Sequence, residues 1–249
     1  MIIPFKKLSL VTSVVLTLSF NVNACPEIDR AFEPKSNVEL VPLCRTEFEL
    51  GYSTKHKLSL WAGERLTEAE ASNTEPRLSL FKADPDLKRG TRAELSDYVN
   101  SHKDRGHIVP AGDMHTMQGM VESFYLSNMM PQQPNNNRGI WKVLERYAKE
   151  MAKARGEVLI FTGPILQKSG GKTIGQNAIP VPRAMYKIIF DIKTKESWTF
   201  IIPNEKISAN LLPKKIVKLA DVEQETGLKF LSNVKDKKEQ TKMLQLLSE

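Results

Sequence analysis

Asp104, Arg105, Gly106 and His107 set an acid, a permanent cation, a glycine and a titratable imidazole side by side, and Pro110 and Gly112 follow closely. Histidine makes the best general base near neutral pH, because its unperturbed pKa of about 6.5 already lies close to the working range. Arg105 offers a planar fork that matches phosphate oxygens two at a time. Gly106 is expected to let a bulky polyanion approach the backbone, and Asp104 to orient a neighbour or hold the loop. Base and phosphate clamp together suffice for attack of water on a phosphodiester. The same four residues would equally serve a salt-bridged surface turn, so the rest of the chain has to decide.

Downstream, Phe124 to Glu145 supplies two neutral oxygen donors, Asn128 and Asn137, and the carboxylate of Glu145. Mg²⁺ keeps most of its waters, so one asparagine plus a substrate phosphate can hold it. Apolar residues at Ile140, Leu144, Tyr147 and Met151 predict a helix over 138–156, with Asn137 as N-cap and Gly156 as C-cap. Asn137 would then sit at the positive end of the helix dipole, where anions are favoured. Asn137 and Glu145 are eight residues apart, about 12 Å along an ideal helix. Unless the helix begins after Asn137, Glu145 is expected to act on the same ion through a water.

In this order "DRGH", "LSNMMPQ" and "NRGIWKVLE" resemble the DNA/RNA non-specific endonucleases of the ββα-metal superfamily. "YSTKHKLSLWAGERLT", "VLIFTGPIL", "IPVPRAMYKIIFD" and "VEQETGLKFL" extend the resemblance over roughly residues 48–231. The resemblance implies that His107 is the general base, Asn137 the direct ligand of Mg²⁺ (or Mn²⁺), and Glu145 a contact to that ion through water. It makes Arg105 and, by its spacing to Phe81 and Asp84, Arg77 supports for the phosphate and transition state. Asn128 would steady the histidine and the substrate. It further implies cleavage of DNA and RNA through contacts chiefly to phosphates, with 5′-phosphate products. One departure is Phe124, where some members carry an additional asparagine.

The elements that must position these residues read as an α+β fold, a central antiparallel β-sheet with helices that contains a ββα-metal motif over about 104–155. Phe48–Leu66 predicts two strands around a turn, and Thr67–Val99 a polar surface excursion. Val158–Leu166, Tyr186–Ile192 and Ser197–Asn204 predict buried strands. The charged tail after Asn233 predicts a solvated helix. "SGGKT" at Ser169–Thr173 lacks the upstream glycine of a phosphate loop, Leu166 standing in its place. His56, His102 and His115 are expected to be structural or exposed. No repeat or linker divides the chain, so residues 25–249 are expected to form one domain.

Residues 1–24 have the makings of a secretory signal: Lys6 and Lys7, an apolar run from Leu8 to Phe20, and Val22 and Ala24 before a cleavage point. Their removal takes the formal charge from +7 to +5. A basic chain suits polyanionic partners but says nothing of fold. Export to the periplasm or medium, with no membrane attachment, would leave Cys25 and Cys44 free to pair; lipidation of Cys25 is the competing use. Two rival functions remain at this point: an exported phosphodiesterase or toxin acting on other phosphate esters, and a non-catalytic polyanion-binding module.

Overall fold

The computed structural model describes Cys25, residues 28–72 and residues 76–246; the expected signal segment lies outside the described residues. Strands β1 (Val41–Cys44), β2 (Glu49–Ser53) and β3 (Leu58–Thr67) open the chain. A short ribbon of β4 (Asp104–His107) and β5 (Met129–Gln132) comes next. The chain continues through β6 (Glu157–Ile165), β7 (Ala184–Asp191), β8 (Glu196–Pro203), β9 (Ile216–Val217) and β10 (Lys238–Glu239). The main sheet runs β9-β8-β7-β6-β3-β2-β1 with antiparallel neighbours, and β10 lies parallel against β8. The helices are α1 (Glu68–Ser72), α2 (Met117–Ser123), α3 (Lys142–Arg155) and α4 (Leu219–Thr226).

Alternation along the strands sends side chains to two cores. Val158 and Ile160 of β6 face α3, where Leu144, Tyr147, Ala148 and Met151 are buried. Leu159 and Phe161 point the other way, against Leu219 and Val222 of α4 and Phe230. Each of the Val, Leu, Ile, Phe and Met side chains among them contributes roughly 1.5–3 kcal/mol by leaving water. The sheet is therefore a middle layer, and α3 is held rigidly over one of its faces. Cys25 and Cys44 form a disulfide that ties the N-terminal segment to the end of β1.

The surface excursion is anchored by a buried ion pair. Asp84 accepts from Arg45 at 2.5 Å and also from the Ser127 hydroxyl, while Arg92 donates to the carbonyls of Asp84 and Leu87. These bonds fix the loop that carries Arg77 and Phe81.

Two local expectations are corrected, and one helix is added. The regular part of the long helix starts at Lys142. Before it, Pro134 opens a short turn and Gly139 leaves helical geometry at φ −110°, ψ −113°, so Asn137 belongs to an irregular turn and is not the N-cap. Met117–Ser123 forms a helix, capped by the Thr116 hydroxyl, that the sequence pattern did not announce. The C-terminal tail is an extended strap: the Trp198 indole donates to the Lys242 carbonyl at 3.1 Å and the Leu244 N–H to the Tyr147 hydroxyl at 2.9 Å. Met243, Leu244 and Leu246 pack on the core, a gain that a solvated helix would forgo.

Candidate active site

β4 carries the "DRGH" segment and pairs with β5 in the register Asp104 to Gln132 and His107 to Met129. Gly106 serves packing, contrary to the expected open approach for a polyanion. A Cβ there would meet Gln132 Oε1 at 2.0 Å and Gln132 Cβ at 2.8 Å. The space belongs to the Gln132 side chain, which donates to Asn136 Oδ1 at 2.9 Å. Asn136 in turn donates to the carbonyls of Pro203 and Glu205, tying the ribbon to the end of β8.

Asn128 lies behind the site. It is fully buried, and its amide is used on backbone: Oδ1 accepts from Val109 N at 2.9 Å, and Nδ2 donates to the carbonyls of Val109 and Ser123. The chain leaving His107 is therefore braced by Asn128, while the substrate contact expected of it is not available to a side chain so enclosed.

His107 is 8% exposed and sits against an aromatic wall. Phe124 meets its ring edge-on, with centroids 4.9 Å apart, and Phe81 lies at 5.8 Å. Burial, with a smaller push from Arg77, lowers the imidazole to about 3, so the ring is neutral over the ordinary pH range. The two arginines stack on the same wall, Arg105 over Phe81 at 4.2 Å and Arg77 over Phe124 at 5.5 Å. Phe124, the departure from the family pattern, thus supplies an apolar surface in place of an asparagine's polar group. Sequence reading missed Phe81 as part of the site, although its aromatic type beside Arg77 was visible.

At the other end of β4, Asp104 accepts from Asn137 Nδ2 at 2.9 Å and from Arg138 at 2.8 and 2.9 Å. A carboxylate only accepts, so the Asn137 nitrogen must face it, and the amide oxygen is left for the cleft. That oxygen suits a hard cation. Among the described residues no three His, Cys, Asp or Glu side chains are gathered as a metal cage, so an ion here would have to retain most of its waters, as Mg²⁺ does.

Glu145 lies one turn into α3. Burial pushes its carboxyl up to about 7; the Lys187 ammonium opposes this and Asp113 reinforces it. His107, Arg105, Arg77, Asn137 and Glu145 all line one cleft of about 760 Å³. Seven cationic side chains border it, including Lys103, Arg138, Lys142, Arg146 and Lys149, against three carboxylates. Such a surface attracts a polyanion at long range. His115, in contrast, stands away from the cleft with Nδ1 2.8 Å from Glu47, in the structural role expected.

The DNA/RNA non-specific endonuclease family matches this chain over residues 30–237. Nuclease C1 of Cunninghamella echinulata var. echinulata is 35% identical over 208 residues, covering 76% of this chain and 82% of that protein. The mitochondrial nuclease EXOG of Danio rerio is 33% identical over 202 residues, and the alignment spans 74% of this chain but only 59% of EXOG. A chain of the solved EndoG/EndoGI complex superposes with a TM-score of 0.73 at 27% identity, covering 78% of this chain and 86% of that one. With the "DRGH" strand, its partner strand and α3 enclosing a single basic cleft, the chain belongs to the DNA/RNA non-specific endonuclease family.

Proposed function

We propose that this nuclease is a Mg²⁺-dependent endonuclease that hydrolyses DNA and RNA with little sequence preference and leaves 5′-phosphate and 3′-hydroxyl ends. The observation that carries the proposal is the fixed orientation of the Asn137 amide in the same cationic cleft as a neutral, buried His107. His107 accepts a proton from water as the water oxygen bonds to phosphorus. The bond from phosphorus to the 3′-oxygen breaks, that oxygen takes a proton from a solvent water to become the 3′-hydroxyl, and His107 then returns its own proton to solvent. A phosphodiester drawn into the cleft brings negative charge towards the ring, which favours the imidazolium that proton transfer creates. Arg105 and Arg77 neutralise charge growing on the phosphoryl oxygens. Mg²⁺ bound by Asn137 and reached by Glu145 through water would supply Lewis-acid stabilisation of the phosphate and the leaving oxygen. Phosphate contacts carry no base information, which accounts for the low sequence preference.

The signal-like residues 1–24 and the Cys25–Cys44 disulfide support export to the periplasm or medium as a single domain over residues 25–249. Mass analysis of the protein recovered outside the cytoplasm should give a chain beginning at Cys25; a chain retaining residues 1–24, or an acylated Cys25, would contradict this.

Two substitutions test the mechanism. His107→Ala should lower turnover on supercoiled plasmid about 10²–10⁴-fold while DNA still binds. Asn137→Ala should lose activity that excess Mg²⁺ partly restores. Rescue of His107→Ala by Mg²⁺, with none for Asn137→Ala, would reverse the two assignments.

A further inference from the structure

A second cavity, of about 370 Å³, opens at the end of the sheet remote from the catalytic cleft. Phe32, Phe190, Ile192 and Val234 form its apolar wall, and the exposed Lys195 and Lys235 complete its lining. Lys195 precedes β8, whose other end, Pro203, is tied to Asn136 beside the cleft. Eight residues of extended chain separate the two, roughly 26 Å. The apolar wall also belongs to the core under α4, on the face of the sheet opposite α3. Hydrogen bonds join the segments that build the cavity. Asn233 Nδ2 donates to the Ala31 carbonyl at 3.1 Å, and the Lys238 N–H donates to the Lys195 carbonyl at 2.9 Å. Phe32 is half-buried, with the Phe190 ring behind it at a centroid distance of 6.0 Å.

The acids of the adjoining turn are committed elsewhere. Asp191 and Glu196 face Arg155 at 3.4 and 2.9 Å. Asp191 also accepts from the Lys193 and Thr194 N–H groups, and Glu196 from the Gln240 amide. Among the described residues no carboxylate lies within 4.0 Å of the Lys195 or Lys235 ammonium. Lys195 moreover holds its backbone at φ +59°, a left-handed conformation that glycine adopts at less cost. An aromatic ring flanked by uncommitted ammonium groups suits a ligand unit with a flat face and a phosphate.

We infer that this cavity is a binding site for single-stranded nucleic acid, separate from the cleft, in which one base lies against Phe32 and the adjoining phosphates meet Lys195 and Lys235. No histidine or carboxylate lines it among the described residues, so it holds a strand without the groups that activate water in the cleft. An anionic membrane surface fits less well. Insertion into a bilayer needs protruding apolar side chains, whereas Phe32, Phe190, Ile192 and Val234 are all recessed.

The test uses the full chain carrying His107→Ala, so that the probe stays intact, and reads the Ile192 and Val234 methyl signals by NMR. A thymidine octanucleotide should shift both methyls, and a phosphodiester chain of equal length without bases should bind there about 10-fold more weakly. Lys195→Gln/Lys235→Gln should weaken the octanucleotide at these methyls about 10-fold or more. With His107 intact, the same pair should leave plasmid turnover unchanged. Methyl signals that ignore the octanucleotide would overturn the inference, as would an equal response to the chain without bases. An undiminished response in the lysine variant would mean an effect relayed from the cleft and would overturn it too. A response to phosphatidylglycerol vesicles but not to the octanucleotide would make this a lipid site instead.

Discussion

The two ends of β4, about 10 Å apart along the strand, are built on opposite principles. At Asp104 the surroundings are polar and half open, and the carboxylate meets both the Asn137 amide and the Arg138 guanidinium. At His107 they are closed and aromatic, with Phe124 and Phe81 packed on the ring and Nε2 buried with no hydrogen-bond partner among the described residues. One end uses a hydrogen-bonded acid to aim an oxygen; the other strips a ring of water to keep it unprotonated. A strand of four residues can therefore carry a carboxylate that aims an amide and an imidazole that burial keeps neutral.

The largest effect should come from breaking the closed end. Phe124 is fully buried, so Phe124→Ala should cost about 3–5 kcal/mol of stability. It should also let the His107 titration climb from about 3 towards its ordinary value, as read by proton NMR. Phe124→Leu, which keeps the site dry, should hold it low. A His107 titration that stays put in Phe124→Ala would show that the wall does not set it.

Breaking the open end should affect a different quantity. Asp104→Ala releases the Asn137 amide and should lower turnover about 10–100-fold with a higher Mg²⁺ requirement, while leaving the His107 titration where it was. If the His107 titration moved as well, the two ends would not be independent.

Stability against pH sharpens the contrast in a third way. His107 has its folded pKa depressed from 6.5 to about 3. Between those values the unfolded chain binds the extra proton, so this group weakens the fold as pH falls through that window. Glu145 is raised from 4.5 to about 7, so its contribution is present below 4.5 and is lost as pH rises through 7. In metal-free protein, Glu145→Gln should therefore gain Tm relative to the parent between pH 4.5 and 8. A constant Tm difference across that range would mean that Glu145 is not held in its protonated form by burial.

The smallest effect belongs to the rim of the cleft. Arg146 is exposed there, and Arg146→Gln should weaken DNA binding similarly for all sequences. The slope of log affinity against log salt should become shallower by about 1. An unchanged slope would place the phosphate path on another side of the cleft.

How much was legible depended on how local the cause was. Strands β6, β7 and β8 fell within two residues of their sequence-based bounds because alternation and flanking turns are written into each segment. Arg77, Arg105, His107, Asn137 and Glu145 do line one cleft, as their motif spacing suggested. The reason for Gly106 was hidden because Gln132, which fills its space, is 26 residues away. The start of α3 was misplaced because Gly139 looks harmless in an otherwise periodic stretch, yet its backbone leaves helical geometry. Asn128 carried no sign that backbone groups would consume its amide.

The strap over α3 has a consequence for synthesis. Tyr147 and Trp198 each bind a backbone group of residues 242–244, so the helix bearing Glu145 cannot complete its packing until that part of the chain has left the ribosome. A growing chain that already displays "DRGH" still lacks the closing contacts behind α3. Full assembly of the cleft thus waits on residues 242–244, some 135 residues downstream of His107.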